Sequence, residues 1–296
     1  MIQWLFGIPY EVAFWEATYE NKKVREKLSQ FSHYNSPIQL VGFDVQQFLL
    51  KQPKPTQATI LDVGAGMTYL PGNYLTIDGK NQPLNLHYID PLAAYYNQIL
   101  AKYKVDRPEV EFGMMEYLSA FYPNHDVTLI MIQNALDHSS NPVKGILESL
   151  DALHVGGVLY LNHHPNEAEY ENYRGFHQFN IMVEDEQLII WNKSGRFNIN
   201  QLLSGFAKVE AKVVDNNPIA IITKTAEVPE NKIDRRADIL KLSNALLDYS
   251  MEVNSASKMS KYHWKLFYYR VAQRVSKWFS WQTRQRIKRL LKRNKS

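Results

Sequence analysis

The stretch at residues 58–68, ATILDVGAGMT, decides the fold of this chain. Its first half is a short apolar run, and its second half is a turn that contains Gly64 and Gly66. An apolar run of this length, closed by glycine, is typical of a strand that is buried on both faces. The sequence therefore predicts the first strand of a parallel sheet at this point.

The residues that follow alternate between predicted strands and predicted helices. This alternation is typical of a parallel sheet covered by helices on both faces. We predict an α/β fold with a Rossmann-like, doubly wound, seven-stranded and mostly parallel sheet. The predicted strands are 58–64, 84–91, 110–118, 126–134, 156–162, 207–215 and 218–224, the predicted helices are 91–103, 142–154 and 198–206, and 182–192 is a strand or hairpin.

Helical segments are predicted on both sides of this domain. Apolar residues at helical spacing indicate a helix over 10–31 and a shorter one over 40–50, before a break at Lys-Gln-Pro-Lys-Pro. One further helix is predicted near 234–250. The domains we predict are a helical N-terminal cap (1–55), a Rossmann-like domain (56–225), a connector with one helix (226–257) and a basic amphipathic tail (258–296).

The composition narrows the class of protein. Hydrophobic residues make up 45% of the chain and charged residues 22%, which is typical of a globular protein. The sequence contains no cysteine, which excludes disulfides and thiolate sites. It has no apolar run of membrane-spanning length, and its first residues lack the pattern of a signal peptide. We therefore expect a cytoplasmic protein.

The residues just after each parallel strand are the candidates for ligand binding, because ligands bind at the carboxyl ends of such strands. Asp62, Gly64 and Gly66 follow the first strand, and Asp90 follows the second. The dinucleotide fingerprint places a third glycine where this chain has Thr68, and a long crossover helix is improbable before Pro83. This departure disfavours NAD, whose pyrophosphate would lose its main anchor, and favours a cofactor that carries no phosphate. The alternative is an ordinary turn with a helix-capping aspartate.

Six motifs in order extend this interpretation: LDVGAGMT, IDPLAAYYNQIL, GMMEYL, QNALDHSSNP, GGVLYLNHHPNEAE and YRGFHQFN. Together they resemble the class I S-adenosylmethionine-dependent methyltransferases, and most closely a bacterial subset associated with surface-polysaccharide synthesis. The resemblance covers roughly residues 58–225. It implies S-adenosylmethionine as cofactor, with the roles that follow for each matching position.

The resemblance assigns the methionine part of the cofactor to Gly64 and Gly66, and the ribose to Asp90. It places the segment from Met114 to Glu116 along the adenine and Gln133-Asn134 at the floor of the pocket. Many relatives have an aspartate where this chain has Met114. Either Glu116 replaces that acid, or the adenine is held by a backbone group and methionine packing.

Histidines gather after the last two parallel strands, at the predicted cofactor end. The candidates for a catalytic base are His138, His163, His164 and Asp137, since histidine titrates near neutral pH. Asp137 is expected to fix the tautomer of His138 or to contact the acceptor. His163 and His164 are adjacent, so a continuing strand would turn only one of them towards the donor.

The residues from 162 to 180, NHHPNEAEYENYRGFHQFN, are predicted to close the pocket and contact the acceptor. Asn166 and Glu169 form a capping-box pattern, and with Gly175 as a C-terminal signal they predict a helix over 167–174. No metal is predicted, because the pattern lacks two histidines at helical spacing and His177 is distant in sequence. A polar and aromatic wall suits a sugar, and its predicted members are Glu167, Tyr170, Tyr173, Arg174, His177 and Gln178.

The end of the chain differs in charge from the rest. Residues 258–296 hold thirteen of the 34 Lys and Arg residues and none of the 30 Asp and Glu residues. Aromatic residues such as Trp264 and Phe267 recur there at helical spacing, which is typical of an interfacial membrane helix. We rank an anionic membrane surface first as the partner, packing on the body or on a second subunit next, and nucleic acid third.

The function predicted from these patterns is methyl transfer from S-adenosylmethionine to a hydroxyl of a cell-surface glycan or its precursor. Two alternatives are carried forward. One is a non-catalytic scaffold of the same fold, docked to a membrane assembly. The other is an RNA methyltransferase.

Overall fold

The computed structural model describes residues 2–28, 33–67, 70–233, 245–246 and 261–276. The strands are β1 (Thr59–Val63), β2 (Tyr74–Ile77), β3 (Lys80–Pro83), β4 (Asn85–Asp90), β5 (Glu111–Phe112), β6 (Val127–Gln133), β7 (Leu153–Asn162), β8 (Asn180–Glu184), β9 (Gln187–Asn192), β10 (Gly195–Asn198), β11 (Ala207–Val214) and β12 (Asn217–Lys224). The helices are α1 (Ile2–Glu20), α2 (Lys22–Leu28), α3 (Val45–Leu50), α4 (Ala93–Lys102), α5 (Leu118–Phe121), α6 (Pro142–Ala152), α7 (Glu167–Tyr170), α8 (Ile199–Leu202) and α9 (Lys261–Ser276).

Seven strands form the central sheet, in the order β11-β12-β7-β6-β1-β4-β5. Strands β7, β6, β1, β4 and β5 pair in parallel, while β12 pairs antiparallel with both β7 and β11. The five parallel strands follow the strand order of a doubly wound sheet, which reverses direction of winding beside β1. The predicted Rossmann-like, mostly parallel sheet of seven strands is confirmed.

The apolar pattern of the central strands explains why the sheet is buried on both faces. Neighbouring residues alternate between two hydrophobic clusters, so Leu61 packs with α6 on one face and Ile60 packs with α3 on the other. All residues of β6 except Gln133 are buried. A strand buried on both faces needs such a continuous apolar run.

The connection after β1 contains a hairpin, β2–β3, and no long crossover helix. The prediction from the proline and glycine residues of this segment is therefore confirmed. Leu75 of β2 is fully buried in the same cluster as Ile60, which anchors the hairpin against the sheet. The hairpin thus covers part of a face that a crossover helix usually covers.

Several predicted elements are wrong in extent, including the helices predicted over 40–50 and 198–206, which are only α3 and α8. The strand predicted over 110–118 is only the two residues of β5, followed by a turn of 3-10 helix at Met115–Tyr117 and by α5. A short apolar run does not distinguish a buried strand from a buried turn. The helix predicted over 10–31 begins at Ile2 and is interrupted at Asn21.

The last described helix packs on the first. Leu266 of α9 is buried against Ala13 and Ala17 of α1, and the Arg270 guanidinium bonds to the Glu20 carboxylate with 2.6 Å between Nε and Oε2. The opposite face exposes the larger apolar side chains, which are Trp264, Phe267, Tyr268 and Val271. The described part of the tail thus packs on the body, which is one of the predicted alternatives, and it exposes an apolar face.

Much of the predicted C-terminal part lies outside the described residues. This applies to the tail beyond Ser276 and to most of the connector at 226–257, with its predicted helix near 234–250. Within the described ranges, no helix is both long enough and apolar enough to cross a membrane.

Candidate active site

A cavity of about 370 Å³ opens at the carboxyl ends of β1, β4, β6 and β7. This volume lies within the range of small-molecule sites. We call the part beside the glycine turn and Asp90 the donor end, and the part beside His138 and His163 the acceptor end. The sequence prediction that the strand-end residues meet in one place is confirmed for most of them.

The glycine turn after β1 requires glycine for two reasons. Gly64 has φ +74°, and a Cβ there would lie 2.3 Å from Cβ of Ala135. Gly66 has φ +51°, and a Cβ there would meet no atom closer than 4.0 Å. Gly64 is therefore needed for close packing against the loop after β6, while Gly66 leaves bare backbone at the cavity wall.

Asp90 lines the donor end and also holds the backbone around it. Its Oδ2 accepts a hydrogen bond from Gly66 N at 3.1 Å, and its Oδ1 accepts one from Leu92 N at 2.8 Å. Each carboxylate oxygen keeps a second lone pair for a ligand. Burial raises the pKa of Asp90 to about 6, against the effect of these two bonds. Both interpretations of this residue, capping and ligand binding, are compatible with the geometry.

Two sequence predictions near Asp90 need correction. Pro91 is not the first helical residue, because α4 begins at Ala93 with Leu92 as its N-cap. Asp62 does not line the cavity, although it was a cofactor candidate. It is buried within β1, and burial raises its pKa to about 7 against the opposing charge of Arg107. Because its side chain is buried in the sheet and does not line the cavity, it is not placed to contact a ligand there.

Only part of the segment from Met114 to Glu116, which was predicted to lie along the adenine, lines the cavity. Met115 and Glu116 line the cavity, whereas Met114 is buried in the cluster between α1 and α4. Oε1 of Glu116 accepts hydrogen bonds from N and Oγ of Ser140, at 2.6 and 2.7 Å. Glu116 thus occupies the place predicted for a substitute acid, and it also fixes the loop after β6.

Gln133 and Asn134 lie at the cavity wall as predicted. Nε2 of Gln133 is buried and has no hydrogen-bond partner. Asn134 has φ +50° and donates its N–H to the carbonyl of Asn162 at 2.8 Å, which closes the end of β6 against β7. A buried donor without a partner is costly, so Gln133 indicates the position of a polar ligand atom.

Both His163 and His164 line the cavity, so the alternation expected for a continuing strand does not apply to them. Strand alternation does not reach them because β7 ends at Asn162. His163 is 2% exposed, and neither ring nitrogen has a partner among the described residues. Burial lowers the pKa of His163 to about 4, so the ring is neutral at physiological pH. Nδ1 of exposed His164 lies 3.2 Å from Oδ1 of Asn217.

Asp137, His138 and His177 come together behind the acceptor end. Oδ2 of Asp137 lies 2.8 Å from Nδ1 of His177 and 3.5 Å from Nε2 of His138. Asp137 therefore orients His177 and not His138, contrary to one of the predicted roles. Burial alone would raise the pKa of Asp137, but the two neighbouring imidazoles lower it to about 2. The bond to Asp137 raises the pKa of His177 despite its burial.

The structure thereby removes one reason for excluding a metal. His177 is 39 residues from His138 in sequence, yet its Nδ1 lies 3.1 Å from Nε2 of His138. Donor atoms of these two histidines and Asp137 all lie within 4.8 Å of one another, a group able to hold a metal ion. The loop that returns after α7 produces this contact, which no helical spacing in the sequence signals.

None of the side chains that were predicted to form a polar wall at 167–178 lines the cavity. From the whole stretch after β7, the cavity is lined by Asn162, His163, His164 and Phe176. Nε2 of Gln178 instead donates to the carbonyl oxygens of Tyr173 and Gly175, at 3.1 and 2.9 Å. Gln178 thus shapes the loop that carries His177. The other predicted members of the wall lie outside the lining, namely Glu167, Tyr170, Tyr173 and exposed Arg174.

The predicted helix over 167–174 is one turn long. Asn166 is left-handed, with φ +52°, and its Oδ1 accepts from Nε1 of Trp191 and caps nothing. Asn172 and Tyr173 are also left-handed, at φ +57° and +53°. Successive left-handed residues end a helix. The capping-box pattern therefore predicted a longer helix than the tertiary contacts of this segment allow, and Gly175 does not end a helix.

Sequence reasoning missed the contribution of α1 to the cavity. Trp4, Glu11 and Trp15 of this helix line the cavity. Nε1 of Trp4 donates to the His138 carbonyl at 2.7 Å, and its ring stacks on Phe176 with 5.2 Å between centroids. Their spacing of seven and four residues places them on one helical face. A helix predicted to begin at residue 10 excluded Trp4 from consideration.

No model of a known protein family matches this chain, and no curated protein matches it. Among solved structures, the chain is similar to the CurJ carbon methyltransferase, with 14% identity over 60% of this chain and 51% of that one and a TM-score of 0.36. It is similar to the CMeT domain of the citrinin polyketide synthase, with 15% identity, 71% and 59% coverage and a TM-score of 0.42.

A third similar structure is a 16S rRNA methyltransferase (RsmC) from T. thermophilus, solved with AdoMet and guanosine. It has 16% identity over 66% of this chain and 42% of that one, with a TM-score of 0.34. The matches span about half of the length of these three chains. Similarities with TM-scores this low do not by themselves establish a fold. The fold is instead shown by the strand order and pairing of the central sheet, which are those of a Rossmann-like domain.

Proposed function

We propose that this protein is an S-adenosylmethionine-dependent methyltransferase. The observation that carries the proposal is the charge of the cavity. Three carboxylates line it, from Glu11, Asp90 and Glu116, and none of its described lining residues is Lys or Arg. Such a lining favours a donor that carries a positive sulfonium, and it disfavours the phosphates of a dinucleotide.

The residues of the donor end fit the parts of this cofactor. Asp90 has free lone pairs for the ribose hydroxyls, and the unpartnered Nε2 of Gln133 has a donor to offer. The bare backbone at Gly66 admits a ligand to close approach. When bound, S-adenosylmethionine supplies a methyl group on a positively charged sulfur.

His163 is the best-placed proton acceptor. It lines the cavity, is neutral at physiological pH, and has both ring nitrogens unpartnered. It would accept the proton of the acceptor hydroxyl, whose oxygen would receive the methyl group that the bound cofactor supplies, with sulfur as the leaving group. His138 and the rings of Trp4 and Phe176 then orient the acceptor, because positioning supplies much of the rate.

A sugar hydroxyl is the acceptor that this end of the cavity favours. Trp4 and Phe176 contribute apolar atoms to the cavity wall for the C–H groups of a sugar, and Glu11 contributes a carboxylate for its hydroxyls. RNA is the second candidate acceptor. Phosphate contacts usually come from Lys and Arg, which are absent from the described lining of this cavity. The glycan precursor therefore ranks above RNA.

Calorimetric titration of S-adenosylhomocysteine into the full chain tests the cofactor site. We expect one site per chain with a micromolar dissociation constant, and binding at least about 10-fold weaker in Asp90→Asn, which loses one charge-assisted acceptor. Asp44→Asn, in the cap of α3 away from the cavity, is the control. No binding to folded wild type would sink the methyltransferase and favour the scaffold alternative. Labelled donor then distinguishes sugar acceptors from RNA.

We also propose that the outer face of α9 meets an anionic membrane surface. Trp264, Phe267 and Tyr268 are exposed on this face, and the tail from residue 258 carries no acidic residue. Aromatic side chains with surrounding basic residues bind to the headgroup region of anionic leaflets. This attachment would place the enzyme where membrane-linked glycan precursors are assembled.

Co-sedimentation with vesicles tests this attachment. We expect the chain to bind vesicles that contain phosphatidylserine and not those made of phosphatidylcholine alone, with a clear loss in Trp264→Ser/Phe267→Ser. Phe197→Ser on β10 removes an exposed aromatic ring elsewhere and should leave binding unchanged. Equal binding of the double variant, or salt-sensitive binding to RNA in place of vesicles, would contradict the proposal.

A further inference from the structure

The cluster of Asp137, His138 and His177 has the dimensions of a metal site. Its three donor atoms, Oδ2, Nε2 and Nδ1, form a triangle with sides of 2.8, 3.1 and 3.5 Å. Ligand atoms about 2.1 Å from a common ion lie about 3.0 Å apart at right angles and about 3.4 Å apart at tetrahedral angles. The triangle therefore matches one face of a coordination shell.

Hydrogen bonding alone leaves this cluster incompletely satisfied. Nδ1 of His177 carries at most one proton, yet it faces both the Asp137 carboxylate and Nε2 of His138. Oδ1 of Asp137, both nitrogens of His163 and Oε2 of Glu167 are also buried without a partner. These unpartnered atoms, beside three converging donors, indicate that a ligand belongs here.

The surrounding contacts hold the three donors in place. Asp137 and His138 lie on a turn of 3-10 helix directly after β6, and the backbone N–H of Gln178 donates to the Asp137 carbonyl at 3.3 Å. Trp4 fixes the His138 backbone from the other side. A site that exists before the ion arrives costs little ordering on binding.

We propose that Asp137, His138 and His177 bind one divalent transition-metal ion, with Zn²⁺ and Co²⁺ as suitable occupants. Two imidazoles and one carboxylate suit these ions better than Mg²⁺ or Ca²⁺, which prefer oxygen ligands. Three protein ligands leave coordination positions open, as in metal sites that act on substrates.

His138 belongs both to this cluster and to the cavity lining, so the ion lies at the acceptor end. An oxygen of the acceptor that binds the ion is oriented and gives up its proton more readily. His163, beside the cluster, remains free to receive that proton. This role rests on the proposed methyl transfer, whereas metal binding itself does not.

The test uses the full chain, stripped of metal with a chelator and titrated with ZnCl₂ and CoCl₂ without any methyl donor. We expect one ion per chain, and affinity at least about 10-fold lower in His177→Gln and Asp137→Asn. Even the loss of a residue that only hydrogen-bonds to a metal ligand lowers metal affinity by that much. His87→Gln is the matched control, because its imidazole pairs with Glu111 at the same 2.8 Å outside the cluster.

A wild-type protein that is folded and binds neither ion saturably would overturn the inference, as would variants that bind as tightly as wild type. X-ray absorption at the zinc edge of the wild-type complex needs no variant to fold. Two or three imidazoles in the shell support the site, and fewer than two contradict it. Metal binding without S-adenosylhomocysteine binding would refute the proposed function and leave this site standing, and the reverse result would refute only the site.

Discussion

The donor end and the acceptor end of the cavity are built in different ways. The donor end consists of residues at the carboxyl ends of strands β1, β4 and β6. The groups that it offers to a ligand are mainly backbone atoms and the Asp90 carboxylate. The acceptor end consists of side chains from α1, from the 3-10 turn at Leu136–His138 and from loops after β7. One end is fixed by the sheet and the other by long-range packing.

The two ends also differ in whether their buried polar side chains already have hydrogen-bond partners. At the donor end, Asp90 and Glu116 both have partners in the protein, although Nε2 of Gln133 has none among the described residues. At the acceptor end, His163 has none. Buried polar groups without partners are rare because they destabilise the fold. The acceptor end therefore carries the groups that a substrate must satisfy, and changes there should affect turnover more than cofactor binding.

The largest expected effect is that of His163→Gln on methyl transfer. Loss of the proton acceptor should lower kcat by about 10²- to 10⁴-fold. Affinity for S-adenosylhomocysteine should remain within about 3-fold, because the donor end is unchanged. Single-turnover kinetics with labelled donor measures the first quantity, and calorimetry measures the second. An equal loss of both would mean that the two ends are not separable.

Gly64→Ala should act on the donor end. Its Cβ would lie 2.3 Å from that of Ala135, so the turn must shift, and we expect roughly 100-fold weaker binding of S-adenosylhomocysteine. Gly79→Ala is matched in backbone, with φ +73° against +74°, but its Cβ meets open space. It should cost only about 1–2 kcal/mol of unfolding free energy, with no change in affinity. Equal affinities of the two variants would contradict this account.

The pH dependence of stability tests the burial of neutral His163. Its folded pKa of about 4 lies below the ordinary value of 6.5, so its contribution is complete above pH 6.5 and is lost as the pH falls towards 4. Between pH 7.5 and pH 5 this loss amounts to about 2 kcal/mol of unfolding free energy. Urea unfolding should detect it as a pH-dependent difference between wild type and His163→Gln, because the raised pKa values of Asp62 and Asp90 add the same opposite contribution to both proteins. The exposed His164→Gln variant should keep the wild-type dependence.

Gln133→Met should have the smallest effect, with opposite signs on stability and binding. Methionine removes the unpartnered Nε2 without removing volume, so the free protein should be unchanged or stabilised by up to about 1 kcal/mol. Binding of S-adenosylhomocysteine should weaken by about 10-fold. Thermal unfolding with and without the ligand measures both quantities. A destabilised free protein would show that Gln133 has a structural partner.

The sequence predicted most of the donor end, because strand order alone brings Gly64, Asp90 and Gln133 together, but it wrongly placed Asp62 and Met114 in the cavity wall. It was insufficient for the acceptor end. The contact of His177 with His138 depends on a loop whose left-handed residues no short pattern predicts, and Trp4 reaches the cavity through the packing of α1 on α4. Capping patterns in residues 166–175 indicated a helix, but the bond from Trp191 to Asn166 competes with it.

Photo-crosslinking of methyl-labelled S-adenosylmethionine to the wild-type chain, followed by peptide mapping, tests the central claim most directly. It needs no variant, and it asks whether the donor lies between the two ends of one cavity. We predict label in the peptides that contain Gly64–Gly66 or Gln133–His138, and its loss when unlabelled S-adenosylhomocysteine is added in excess. Label confined to other peptides, or label that the competitor does not reduce, would contradict the account.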